Sequence, residues 1–175
     1  MIFSTLQLKL VQRSDPKSQR DLYEFFNPKV MGLCRRYTKT IEEAEDVFQE
    51  TFIRVFRSIR QVKDVTHLQM WVKKIAVNTA INYYHKNKRH NHVEERNGYH
   101  YQNEEYELIL SQFSDEVLID LINHLPDGYR MVFNLYVVEG YSHAEIAELL
   151  HIEEASSRSQ LNRAKQTLKN KLSAL

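Results

Sequence analysis

Apolar residues recur along this chain at intervals of three and four rather than two, the spacing of helices that bury one face. Only four glycines and three prolines interrupt the pattern. It predicts helices over residues 2–13, 17–26, 28–38, 41–60, 67–90, 114–124, 127–138, 142–150 and 154–172. Between the fifth and sixth the period stops: in NHVEERNGYHYQNEEYE, Val93 is the only aliphatic residue over 17 positions. Such a stretch buries too little to order itself and reads as a flexible linker. The expected fold is all-α, with two small helical domains, residues 1–91 and 108–175, joined by a linker over 92–107.

Composition narrows the possibilities. With 42% hydrophobic and 27% charged residues, 175 residues suffice for real cores in a soluble protein. No run approaches the roughly 18 apolar residues of a membrane helix, and MIFSTLQLKLVQR lacks the layout of a signal peptide, so a cytoplasmic location without membrane insertion is expected. Cys34, the single cysteine, excludes an internal disulfide and reads as a small core residue. The net charge of +1 hides an uneven distribution. Residues 71–92 carry Lys73, Lys74, Lys86, Lys88 and Arg89 without an acid, residues 97–129 carry only acids among their charged groups, and residues 151–175 are again mainly basic. The two basic blocks suit a polyanion. The acids between them form a candidate shield for the free protein.

The most specific local signal is YSHAEIAELLHIEEASSRSQLNRAK. Ser142 and Glu145 form a capping box, with Tyr141 and Ile146 as the hydrophobic staple. A short turn at His151, Ile152 and Glu153 then leads into a second helix, the spacing of a helix-turn-helix. His151 stands where positive φ is needed and glycine is usual. At 100° per residue, Ser157, Leu161, Ala164, Leu168 and Leu172 of the second helix face inward. Ser156, Ser159, Asn162, Arg163, Gln166 and Asn170 face away, with Arg158, Lys165 and Lys169 along one edge. Short hydroxyl and amide groups beside cations suit base edges beside phosphates. Ser157 is expected to bond a backbone carbonyl of the preceding turn.

Two more faces carry chemistry. In the 41–60 helix, Ala44, Phe48, Phe52, Val55 and Ile59 form an inward stripe, whereas Asp46, Gln49, Glu50, Ile53 and Arg57 share a polar face around one isoleucine, a surface for a partner or ordinary solvated surface. In the 67–90 helix, Trp71, Ile75, Ala76, Thr79 and Tyr83 are expected inward, while Asn78, Asn82 and Lys86 repeat every four residues and Tyr84 offers a stacking plane for a base. No P-loop, GxSxG or HExxH occurs, and the HxxxxHxH spacing of His85, His90 and His92 is not a usual zinc pattern. No catalysis, metal, cofactor or small-molecule substrate is expected.

AEDVFQETFIRVFRSI, WVKKIAVNTAINYYHKNKR, LPDGYRMVFNLYVVEGYSHAEIAELL and SRSQLNRAK, in that order over about residues 6–172, resemble the successive signatures of bacterial RNA polymerase sigma factors of the extracytoplasmic-function (ECF) group. The resemblance implies a first domain that binds core polymerase and recognises and melts the minus-ten element, and a C-terminal, winged-helix-like helix-turn-helix domain that holds the minus-thirty-five element. It implies docking of Asp46, Gln49, Glu50, Ile53 and Arg54 on the clamp coiled coil of the β′ subunit, and a further contact with the flap of β. By the same resemblance, Asn78, Asn82, Tyr84, Lys86 and His67 meet minus-ten DNA, the flipped base falling to Val65, Thr66, His67 or Leu68; the family often has aspartate at Asn82. Ser156, Arg158, Ser159, Asn162, Arg163 and Lys165 meet minus-thirty-five DNA. The family commonly has glycine, threonine and valine at Ala155, Ser156 and Ser157, and often a basic residue at Gln160. An anti-sigma protein is an expected partner. The residues alone leave open a helix-turn-helix repressor or activator acting without polymerase, and a protein-interaction module that no longer binds DNA.

Overall fold

The protein was analysed as a computed structural model that describes residues 3–88 and 115–172. The described residues form helices joined by short turns, with no strand among them. The chain divides into two compact units, residues 1–83 and 84–175, a division that falls inside a long helix. Residues 92–107, expected as the linker, lie outside the described residues, as do His90, His92 and His100.

The N-terminal unit begins with α1 (Thr5–Gln12), opened by a capping box between Ser4 and Gln7. Next comes α2 (Pro16–Tyr37), whose N-cap Asp15 accepts from the Ser18 amide at 2.8 Å. Here the pattern misleads: the helices expected over 17–26 and 28–38 are one helix with Pro28 inside it. An interior proline costs a helix about 3 kcal/mol. The burial of Leu22, Phe26, Val30, Leu33, Cys34 and Tyr37 along one face offsets that, and Pro28 itself faces solvent. Burial pushes the Cys34 thiol up to about 12, so it stays protonated core, as expected.

Helix α3 (Ile41–Ser58) is capped by Thr40, whose hydroxyl accepts from the Glu43 amide at 3.2 Å. Its inward stripe is the expected one: Ala44, Phe48, Phe52 and Val55 are buried, and Ile59 follows in a short 3₁₀ turn. Tyr23 of α2 closes on Phe48 and Phe52, with ring centroids at 5.7 and 4.7 Å. Helix α4 (Leu68–Lys88) buries Leu68, Val72, Ala76, Val77, Thr79, Ala80 and Ile81. The inward face is therefore turned from the expected one. Trp71, Ile75 and Tyr83 are only half-buried, because small and branched residues at Val72, Ala76 and Ala80 allow a closer approach to the core.

Among the described residues after α4, the C-terminal unit holds α5 (Asp115–Asn123), α6 (Asp127–Phe133), α7 (His143–Leu150) and α8 (Glu154–Leu172). The helix expected to run on to residue 138 changes winding after Phe133. Residues Asn134–Val138 form a π turn, with the Glu139 amide donating to the Asn134 carbonyl at 3.0 Å. The core gathers Leu125, Met131, Phe133, Leu135, Ile146, Leu150, Leu161 and Leu168. Inside it lies Arg130, only 4% exposed. Its guanidinium donates to the carbonyls of Asn123 (3.3 Å) and Leu125 (3.1 Å) and to Asp127 Oδ1 (2.8 Å). It thereby closes the end of α5 and fixes the start of α6.

Arg130→Met keeps the length of the stem but takes the donor from the Asn123 and Leu125 carbonyls and the cation from Asp127. Equilibrium urea unfolding of the full chain should record a loss of about 3 kcal/mol in the transition of the C-terminal unit. Arg20→Met, which removes an exposed pair with Glu24, should leave the midpoint unmoved.

Candidate nucleic-acid and polymerase interfaces

The helix-turn-helix forms from local chemistry. Ser142 Oγ accepts from the Glu145 amide at 3.3 Å while the Glu145 carboxylate accepts from the Ser142 amide at 2.8 Å, completing the expected box. Donation to the carboxylate from the Ser142 amide and from the Ser142 hydroxyl, at 2.8 Å each, holds the Glu145 carboxyl below its usual range. At the other end of α7, His151 adopts φ 53°, ψ 51°, the left-handed conformation the sequence requires there. The Ile152 amide then reaches back to the Ala147 carbonyl at 3.1 Å, and α8 starts two residues later.

On α8 the buried face is Ser157, Gln160, Leu161, Ala164, Leu168 and Leu172. Gln160 is thus buried, and Gly128 makes room for it: a Cβ there would stand 2.9 Å from its Oε1. Facing away are Ser156, Ser159 and Asn162, half-buried and without a side-chain hydrogen bond among the described residues, with exposed Arg158 and half-buried Lys165 beside them. Arg158 is paired with Glu154 one turn back. Arg163 departs from the outward face expected of it. It is half-buried on the flank of α8, and its Nη1 donates to the Tyr129 hydroxyl of α6 at 3.0 Å. A guanidinium on a long stem takes the nearest acceptor, and projection of one helix cannot include a partner on another. Ser157 also differs from expectation: its hydroxyl lies 2.9 Å from Nδ1 of His143 rather than on a backbone carbonyl.

On α4, Asn78, Asn82 and Lys86 are exposed along one line that winds slowly around the helix, about 40° per step. Exposed Met70 and Lys74 extend that line toward the helix start, a continuation the sequence reading missed although the spacing carries it. Tyr84 is half-buried, with Lys88 Nζ 5.8 Å from its ring centre. His67 is exposed at the end of a 3₁₀ turn, Val65–His67, just before α4. Asp64 shapes that turn, its carboxylate accepting from the Thr66 amide at 2.9 Å, a bond that holds its carboxyl below the usual range. The approach to it is anchored from α1: Gln12 Nε2 donates to the carbonyls of Ile59 (3.1 Å) and Val62 (2.8 Å). Nothing periodic in the sequence announces that anchor.

On α3, Asp46, Gln49 and Ile53 are exposed, Ile53 at 51%, and Glu50 and Arg54 are half-buried and joined at 2.7 Å. These five residues share a face opposite the Phe48–Phe52 core. Phe56 is half-buried. Among the described residues no helix is long and apolar enough to cross a membrane.

Comparison with known proteins meets this geometry at both ends of the chain. A family model described as Sigma-70 region 2 matches residues 22–90, and one described as Sigma-70, region 4 matches residues 115–168. The ECF RNA polymerase sigma-E factor of Haemophilus influenzae is 31% identical over an alignment covering 94% of this chain and 93% of that protein. The sigma-E factor of Escherichia coli K12 is 28% identical, covering 94% and 92%. Among solved structures, CnrH in complex with the cytosolic domain of CnrY is similar at TM-score 0.50 and 17% identity, covering 97% of this chain and 96% of that one. The sigma factor RpoE of Bartonella quintana, in complex with the anti-sigma factor NepR, also gives TM-score 0.50 and 17% identity, covering 89% and 96%. Both sigma-70 regions occur in order, and the similarity to a sigma-E factor runs nearly end to end: the chain belongs to the extracytoplasmic-function group of the sigma-70 family of RNA polymerase sigma factors.

Proposed function

We propose that this sigma factor divides promoter recognition between two domains, residues 1–91 and 108–175, with residues 92–107 as the connection. As a sigma factor it is an initiation factor that binds core RNA polymerase and directs it to promoters. In our reading Asp46, Gln49, Glu50, Ile53 and Arg54 dock on the clamp coiled coil of β′, the isoleucine supplying buried area and the charges register and on-rate. Asn78, Asn82, Tyr84, Lys86 and His67 take the minus-ten strand. Ser156, Arg158, Ser159, Asn162 and Lys165 meet the minus-thirty-five major groove, Arg163 joining from the flank. The C-terminal domain also touches the flap of β. The factor has no catalysis of its own and works in the cytoplasm, where polymerase and DNA are.

The observation that carries this reading is the helix-turn-helix itself: a boxed start, a left-handed His151, and Ser156, Ser159 and Asn162 on the outer face of α8 without a side-chain hydrogen bond among the described residues. Control by an anti-sigma protein is supported by the similar RpoE chain, which was solved with the anti-sigma factor NepR bound. A regulator acting without polymerase is the second reading, since it needs only α7 and α8.

Purified chain mixed with sigma-free core polymerase and a promoter library should give core-dependent transcription starts; tight duplex binding without core-dependent starts would favour the second reading. Ile53→Asp should weaken core binding by about tenfold or more, read by competition with another sigma factor, and leave duplex binding unaltered. Asn162→Ala should reduce discrimination at one or two base pairs by about 1–3 kcal/mol, whereas Lys165→Ala should weaken binding evenly across sequences and flatten the salt dependence by about one unit of slope.

A further inference from the structure

The buried apolar residues Ile146 and Leu150 of α7 and Leu161 and Leu168 of α8 belong to one core, but apolar packing has little direction. A reading helix needs direction. Its side-chain tips stand about 5 Å from its axis, so a rotation of about 20° carries them about 2 Å. That exceeds the tolerance of a hydrogen bond to a base edge.

A directional contact also joins the two helices. His143, the first residue of α7, lies with Nδ1 2.9 Å from Oγ of Ser157, and Ser157 is fully buried between Ser156 and Arg158 in sequence. The imidazole is itself held. Its ring stacks on Tyr136 of the π turn, with centroids 4.5 Å apart and planes at 21°. The charged groups around it, Glu154, Arg158 and Lys165, all come from α8. Burial chiefly, with Arg158 and Lys165 opposing Glu154, holds the ring below its ordinary pKa. At pH 7 it is therefore neutral, and either partner can donate.

We propose that His143 is a positioning residue for minus-thirty-five reading: seated on Tyr136, it fixes through Ser157 the rotation of α8 about its own axis, and so selects which base edges Ser156, Arg158 and Ser159 reach. This rests on the reading of α8 as the helix that enters the major groove. The π turn has a part in it, because the change of winding after Phe133 brings Tyr136 beneath the imidazole. The bond that a serine commonly makes to its own helix is given up here for one across the turn.

The test uses the full chain bound to core polymerase and a DNA library randomised over the minus-thirty-five positions. Affinity is then measured for the site selected by the wild type and for each of its single-base variants. Ser157→Ala removes only the hydroxyl, and His143→Phe keeps a ring over Tyr136 without the nitrogen. Each should lower the ratio of selected to variant affinity by about tenfold at the base pairs facing the start of α8, with binding to unrelated DNA within twofold of wild type. The double variant should be no worse than either single one, because both remove the same bond. His143→Gln, whose amide can pair with Ser157, should recover part of the ratio. Unchanged ratios, even weakening on every sequence, or a loss in only one single variant would each overturn the proposal. A wild type that selects no sequence at these positions would instead reject the reading of α8, and the proposal with it.

Discussion

Arg130 brings a permanent charge into a unit of few helices, and taking a guanidinium out of water costs on the order of several kcal/mol. The Asn123 and Leu125 carbonyls and the Asp127 carboxylate meet that demand only when α5 ends and α6 begins where they do. Few other arrangements of the chain bring three oxygens to one side chain. With α6 set, Tyr129 stands ready for Arg163, and the π turn that follows brings Tyr136 to His143. The orientation of α8 is thus tied, through a short series of polar contacts, to a buried charge.

The N-terminal unit is organised differently. Its core is aromatic and aliphatic, and two unusual features serve its surfaces. An uninterrupted α2, proline included, supplies the long wall against which α3 packs Phe48 and Phe52, leaving Asp46, Gln49 and Ile53 outside. Gln12 ties the segment after α3 to α1, so that the turn carrying His67 starts from a fixed point. On the reading of this turn as part of the minus-ten contact, such anchoring helps, because each degree of freedom removed beforehand is one less to lose on binding.

Much of this was legible in the residues. The inward stripe of α3, the Ser142–Glu145 box and the left-handed His151 are all local, decided within about four residues of chain, and the sequence displays them directly. What was hidden depends on partners distant in sequence. Pro28 suggested a helix break because its local penalty is plain, while the compensating burial of Phe26, Val30 and Leu33 depends on tertiary packing. The turned face of α4 follows from how closely small residues let it approach its neighbours. Arg163 with Tyr129 and Ser157 with His143 are 34 and 14 residues apart, and no periodicity encodes them. A rule for histidine at a helix start and serine inside the next helix would have been needed to see the second.

The pairing of Arg158 with Glu154 bears on how such a factor moves through a genome. Glu154 offers the guanidinium a carboxylate much as a DNA backbone would offer a phosphate, so contact with any duplex must first exchange one anion for another. On the reading of α8 as the DNA-facing helix, this cost is the same on every duplex, and so takes a larger fraction of the weak gain from indiscriminate backbone contact than of the gain where the base edges also match. The carboxylate then acts as an internal competitor, shortening dwell on irrelevant DNA and leaving the factor free to be found by polymerase.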